Sequence, residues 1–467
     1  MNSNEIMNFS NIFWQESIIP ALSDFIKIPN KSPAFDPEWQ KNGFMEQALE
    51  LLVNWCNKNS AKNMNIEVLR IESRTPVILI NIKGSLNKNV LYYGHLDKQP
   101  EMTGWDSNLG PYKPVLKNGK LYGRAAADDG YALFSALASV LALQQQDLAH
   151  PTIQILIEAS EESGSIDLPY YIDKYADKFY SPDLVICLDS GCGNYNNLWL
   201  TSSLRGLVTV DVEVKVLKEG LHSGIAGGIV PSALQIFNKQ LEKICCDKSN
   251  ITNLESCNVT IPSIRQAQIL HTASILEQQF HGDFPLEDGV KLLSDNVAQL
   301  LTNQTWRGSV TVIGIDGIPQ LKNAGNVHNP NLTARLSVRI PATSNPEKVA
   351  KEITQKLTEN IPFNAIVKCN TITTTAGWHC PIESNKLQQT LTESAELFFN
   401  EECAYMGEGG SIPFINLLEK KFPKAEFVIT GVLGPHSNAH GPNEFLDIEY
   451  SKKITAAMSY LIYNYSQ

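Results

Sequence analysis

Two histidines and a set of carboxylates stand where apolar, strand-like runs of this chain end. Gly94-His95-Leu96-Asp97 follows the apolar run 90–93, and alternation along an extended chain points His95 and Asp97 to one side. A histidine that binds metal through one ring nitrogen needs the other nitrogen fixed, and a nearby carboxylate can do that. Asp128-Asp129 precedes a stretch of Ala, Leu and Ser; Glu161-Glu162 follows the run 152–157; Asp189 ends the run 183–188. His440 lies in Gly434-Pro-His436-Ser-Asn-Ala-His440-Gly. Two imidazoles and several carboxylates, without thiolates, suit zinc, or manganese or cobalt, rather than a structural cysteine site. Five such ligands, one a bridging carboxylate, would hold two divalent ions roughly 3.5–4 Å apart and activate a shared water. A further carboxylate would then be the general base, and adjacent Glu161 and Glu162 could divide the two roles. The plain alternatives are that Asp128 caps the helix after it and that a lone His-x-Asp is an ordinary loop pair.

Elements must bring these groups to one edge. Residues up to about 60 read as helical, with an apolar face over 45–55, and 76–83, 90–94, 152–157 and 183–188 read as strands. The stretch 131–143 is almost wholly Ala, Leu, Val and Ser, which predicts a buried helix. Strands alternating with helices, with polar residues at the strand ends, predict an open α/β sheet with its site at the carboxyl edge. Near residue 205 the texture changes. The run 207–216 alternates as a half-exposed strand should; helix 231–244, strands 309–315 and 332–340, helix 346–359 and strand 365–373 follow. That βαββαβ order describes a small sheet with two helices on one face, with 250–303 as a helical insertion. After 377 the first texture resumes: a helix over 387–399, a loop over 407–411, a strand over 427–432 and a helix over 447–463. The expected division is a catalytic domain of 1–205 and 376–467, interrupted by an inserted domain of 206–375.

The chain has 467 residues, 43% of them hydrophobic, enough for two cores. A net charge of −11 argues against nucleic acid as a partner, and no apolar run approaches a membrane span. Nine scattered cysteines without a Cys-x-x-Cys pair, and a start without a basic-then-apolar leader, predict reduced thiols and a cytoplasmic protein.

Gly94-His-Leu-Asp-Lys-Gln-Pro100, Leu121-Tyr-Gly-Arg124 with Asp128-Asp129, Glu161-Glu162-Ser-Gly-Ser165, Leu221-His-Ser-Gly224 and Gly407-Glu-Gly-Gly-Ser-Ile-Pro413 together resemble the di-zinc metallopeptidases. That family includes carnosine dipeptidases, PepV-type dipeptidases, glutamate carboxypeptidases and the acetylornithine and succinyl-diaminopimelate deacylases. The resemblance spans about residues 75–445. It implies a catalytic α/β/α domain with a mixed sheet and an inserted ferredoxin-like lid or dimerisation domain. It implies His95, Asp128 and Asp189 on one metal, and His440, Glu162 and the bridging Asp128 on the other. Asp97 would orient His95, and Glu161 would be the base. His222 would reach the scissile carbonyl, in some relatives from a partner subunit. Arg339 and Asn326 would meet the substrate carboxylate, and Glu408 its amino group. A cis peptide is implied after the bridging aspartate, at Asp128–Asp129. Where many relatives have Asp-x-Lys-Gly, this chain has Asp128-Asp129-Gly130-Tyr131; the lysine is no ligand in those relatives, so the resemblance still implies the same chemistry.

The activity implied is hydrolysis of dipeptides or short peptides, with an N-acyl-amino-acid deacylase as the rival using the same chemistry. Asp at 189 resembles the dipeptidase and aminopeptidase members of the family, and Glu408 would suit a free ammonium, so the resemblance leans toward a substrate with a free amine. A non-catalytic relative would be expected to have lost the base or a ligand. A glycosidase is disfavoured, because adjacent Glu161 and Glu162 would not straddle a glycosidic bond. The family favours homodimers; if instead this chain's insertion of about fifty residues fills the pairing surface, as an extra lobe does in monomeric PepV-type relatives, His222 would serve its own chain.

Overall fold

The computed structural model describes residues 1–246, 249–410 and 412–467. The chain divides into two compact units. One comprises residues 1–201, 380–406 and 413–467; the other comprises 202–379 and 407–412.

The first unit is built on a six-stranded mixed sheet. Its order is Met64–Leu69, Val77–Ile82, Pro151–Glu158, Leu86–His95, Leu184–Cys187 and Glu426–Ile429. The first two strand pairs are antiparallel and the last three parallel. The central strands are buried on both faces, as near-continuous Val, Ile and Leu runs require. Successive residues show both layers. The Tyr92 hydroxyl meets Ser139 on the helix Ala132–Gln145 at 3.0 Å, while the Tyr93 ring stacks on Phe414 of the helix Pro413–Lys421, centroids 3.7 Å apart. Helix Ala132–Gln145 is buried nearly all round, and its small side chains let Ile448–Tyr465 approach closely, with Ser135 Oγ 2.8 Å from Thr455 Oγ1. This helix begins at Ala132, so the reading of Asp128 as its cap is wrong.

The second unit carries the βαββαβ sheet, fully antiparallel, in the order Ser309–Asp316, Asn331–Ile340, Gly206–Lys215, Ile366–Thr375. Val208, Val210, Val212 and Val214 alternate inward and meet Leu332, Leu336 and Val338; helices Ala233–Leu241 and Pro346–Thr358 cover them with Ile236, Phe237, Val349 and Ile353. The insertion forms two α-helices, Ser263–Leu276 and Val297–Trp306, separated by chain with one 3₁₀ turn, Phe280–Asp283. Buried Arg265 donates to His379 Nε2 at 3.1 Å, tying the first of them to the end of this unit.

Several elements differ from the expectations. An extra edge strand, Met64–Leu69, lies before Val77–Ile82. The segment 99–123, in which no strand was expected, contains the hairpin Val115–Lys117 and Lys120–Tyr122. A strand, Ala404–Glu408, runs into the expected 407–411 loop, of which Ser411 lies outside the described residues. No helix among the described residues is long and apolar enough to cross a membrane.

Candidate active site

Strand Leu86–His95 delivers His95 to the carboxyl edge of the sheet. Gly94 is needed there: a Cβ on it would lie 2.6 Å from Asp129 Oδ2 and 2.7 Å from Ala132 Cβ. The close approach lets Asp129 Oδ2 accept from the His95 backbone N–H at 3.2 Å. The Asp128–Asp129 peptide is cis, as the resemblance implies.

Asp128 lies between two imidazoles. His95 Nε2 is 3.2 Å from its Oδ1, and His440 Nε2 is 2.9 Å from its Oδ2. Each imidazole has a second carboxylate of its own: Asp189 Oδ1 at 3.7 Å from His95 Nε2, and Glu162 Oε2 at 3.4 Å from His440 Nε2. Glu161 offers a carboxylate oxygen within 4.8 Å of donor atoms of His95 and Asp189. Seven sequence-predicted residues therefore converge: His95, Asp97, Asp128, Glu161, Glu162, Asp189 and His440. All are buried or nearly so except His440, whose ring is half exposed.

Asp97 does more than orient His95. His95 Nδ1 lies 3.1 Å from the Asp97 backbone oxygen and 3.5 Å from its carboxylate. The two carboxylate oxygens accept instead, each at 3.1 Å, from the backbone N–H groups of Glu161 and Glu162. Asp97 thus fixes the turn that carries both glutamates.

Crowding sets the charge state. Burial, then the like charge of Asp189, holds the Glu161 carboxyl well above the usual range; burial, then Asp128, does the same to Glu162. Burial opposes ionisation of Asp128 too, but hydrogen bonds from His440 and His95 outweigh it and hold that carboxyl low. Burial likewise opposes charge on His95, and the carboxylates of Asp189, Asp128 and Asp97 outweigh it. Divalent cations fit this surplus of anionic donors: the donors are imidazole and carboxylate only, and buried Glu162 Oε1 has no hydrogen-bond partner.

Three supporting residues escaped the sequence reading. Gln99 donates to Glu162 Oε2 at 2.5 Å. Arg124 and Glu444 form a fully buried pair at 2.7 Å. Glu444 Oε1 accepts from the N–H groups of Ala127 and Asp128 (3.2 and 3.3 Å), while Arg124 holds the carbonyls of Pro100 and Gly441 (3.1 and 2.8 Å). The pair therefore clamps the loops of both Asp128 and His440. Arg124 stood in the quoted Leu-Tyr-Gly-Arg motif and Glu444 just beyond His440, but nothing local pairs them. Burial raises the Glu444 carboxyl even beside Arg124, and removing one partner of such a buried pair is strongly destabilising. Arg124→Met strands that carboxyl and is expected to cost about 3–5 kcal/mol in urea unfolding; Arg124→Met/Glu444→Gln should recover much of it.

The remaining predicted residues belong to the second unit. A two-residue ladder pairs His222 with Val327, and Ser223 N donates to Asn326 O at 2.8 Å, so His222 and Asn326 are neighbours on exposed chain. Arg339 is half-buried on strand Asn331–Ile340. Glu408 Oε1 is buried without a hydrogen-bond partner, and burial pushes the carboxyl up to about 7.

A carboxylate–imidazole cluster at the carboxyl edge of a mixed α/β sheet, with an antiparallel α/β unit inserted, defines a metallohydrolase. The chain belongs to Peptidase family M20/M25/M40, whose description matches residues 91–464. It is 27% identical over 380 residues to the cysteinylglycine-S-conjugate dipeptidase of Corynebacterium striatum, covering 81% of each chain. It is 26% identical to the beta-Ala-His dipeptidase of Homo sapiens, across 95% of this chain and 89% of that one. Its fold matches the solved dipeptidase Dug1p of Saccharomyces cerevisiae with a TM-score of 0.79 at 20% identity, covering 100% of this chain and 98% of that one. It also matches human carnosine dipeptidase 1 with a TM-score of 0.77 at 20% identity, over 100% of both chains.

Proposed function

We propose that this protein is a two-metal dipeptidase that cleaves the peptide bond of dipeptides or short peptides with an activated water. The observation that carries the reading is Asp128, set between His95 and His440, each of which has its own second carboxylate. His95, Asp128 and Asp189 would hold one ion; His440, Glu162 and Asp128 the other. Zinc suits the donor set best, with manganese or cobalt as alternatives. Bound divalent ions supply acidity to water and polarise the scissile carbonyl.

The chain's own groups do the rest. Glu161 takes the proton of the attacking water and returns it to the leaving nitrogen. Asp97 keeps Glu161 and Glu162 in register through their backbone N–H groups. His222 donates to the oxyanion of the tetrahedral intermediate. Arg339, a planar fork suited to carboxylates, fixes the substrate's carboxyl terminus with Asn326, and Glu408 receives its ammonium. The first unit is then the catalytic domain and the second the lid or dimerisation domain. Cysteines free of disulfide bonds agree with a cytoplasmic enzyme.

The similar proteins are dipeptidases, and a free-amine subsite at Glu408 fits that class better than an N-acyl-amino-acid deacylase. Hydrolysis of matched dipeptides and N-acetyl amino acids by the zinc-loaded protein tests this: the dipeptides should be cleaved and the acetylated amino acids not. Faster release of acetate would move the protein to the deacylases.

Glu408 makes a pH prediction. Its carboxyl in the free protein is half protonated near pH 7, and only the ionised form can pair with an ammonium. kcat/KM for dipeptides should therefore fall as pH drops through about 7, and Glu408→Gln should flatten that limb at a lower plateau. An unchanged limb in the variant would remove Glu408 from the amine subsite. For assembly we favour a homodimer in which His222 serves the neighbouring chain. Mixing an inactive Glu161→Gln chain with an inactive His222→Ala chain should restore activity, and no recovery in a preparation that exchanges subunits would mean each chain completes its own site.

A further inference from the structure

Glu158 is a buried carboxylate that none of the steps above uses. It is the last residue of strand Pro151–Glu158, 1% exposed, and pairs in register with His95. Three hydroxyl groups converge on it. Oε1 accepts from Tyr93 Oη and Ser165 Oγ, both at 2.7 Å, and Oε2 accepts from Ser160 Oγ at 3.2 Å. Ser160 and Ser165 bracket the turn of Glu161–Ser163, where Ser163 N and Ser165 N both donate to the Ser160 carbonyl (3.2 and 2.9 Å). Tyr93 cannot swing away, because its ring is stacked on Phe414.

The turn is thus gripped by two carboxylates. Asp97 holds the backbone N–H groups of Glu161 and Glu162, while Glu158 holds the side chains at the two ends. A carboxylate in so dry a place is costly unless every oxygen is satisfied, and hydroxyl donors on both sides of one turn are a specific way to satisfy it. We propose that Glu158 is a positioning residue: by stapling Ser160 to Ser165 it fixes the reach of Glu161 toward the attacking water and of Glu162 toward the metal. The proposal rests on the reading of Glu161 as general base. Loss of an outer hydrogen-bond partner of such a site costs about 10–100-fold in activity or metal affinity.

The test compares Glu158→Leu, which removes both acceptor oxygens, in two backgrounds, using a dipeptide at saturating zinc. In the otherwise native enzyme kcat should fall at least about tenfold with KM within about twofold, because the staple acts on the base and not on substrate binding. In a Glu161→Gln background the same change should alter the residual rate by less than about twofold, since the group it positions is already gone. Zinc affinity, read by calorimetry, should weaken about tenfold through Glu162. Equal losses in both backgrounds would mean a general structural role and overturn the proposal, as would a native kcat or an unchanged zinc affinity in Glu158→Leu. If Glu158→Leu shows no cooperative urea transition, Ser165→Ala and Tyr93→Phe remove single donors and carry the same comparison. Near-normal turnover in Glu161→Gln alone would instead sink the base assignment, a distinct result.

Discussion

Glu161→Gln is expected to lower kcat by about 10³-fold while the protein retains its metals. The amide cannot accept the proton of the attacking water, yet it keeps the shape of the side chain and leaves the ligands in place. The turn also survives, because Asp97 holds it by backbone N–H groups, which the substitution does not touch. Metal content by elemental analysis and kcat by single-substrate kinetics check the two halves separately. Loss of metal would make Glu161 a ligand beside His95 and Asp189, whose donor atoms lie within 4.8 Å of its own.

Asp128→Ala should match that loss of turnover by the opposite route. Among the described residues Asp128 is the one carboxylate paired with both imidazoles, at 3.2 and 2.9 Å, and under the proposed ligand set its removal would leave each cation with one ligand fewer. Metal stoichiometry should then fall to one or none, and turnover below about 10⁻³ of the native rate. The paired results, inactive with metal and inactive without it, separate the base from the bridge. A fully metallated Asp128→Ala protein would contradict the bridging role.

The parts of this site that were legible in the sequence are those written in local patterns. His95, Glu161, Glu162 and Asp189 each sit at or just past the end of an apolar run, where an α/β sheet gathers polar groups, and Asp128 stands just before the apolar helix stretch. The apolar stretch, almost wholly Ala, Leu, Val and Ser, that became helix Ala132–Gln145, and the strict alternation of Gly206–Lys215, were equally plain. Edge strand Met64–Leu69 was not, because most of its residues are only half-buried and Asn65 and Glu67 interrupt the apolar signal. Helix Pro413–Lys421 was hidden behind the glycine-rich run before it. Contacts between distant segments carry no local signal at all. Arg124 meets Glu444 320 residues away, and Asp97 reaches the N–H groups of Glu161 and Glu162, so the sequence suggested a partner for His95 and missed the turn Asp97 holds.

The most direct test of metal-dependent peptide hydrolysis is a titration. Protein stripped with a chelator is supplied with increasing zinc, and the initial rate of dipeptide cleavage is followed beside metal binding. The stripped protein should be inactive, with activity rising to a plateau as the second equivalent binds, the outcome expected if Asp128 is shared between two ions. Full dipeptide cleavage by the stripped protein, or none at any loading with zinc, manganese or cobalt, would contradict the account.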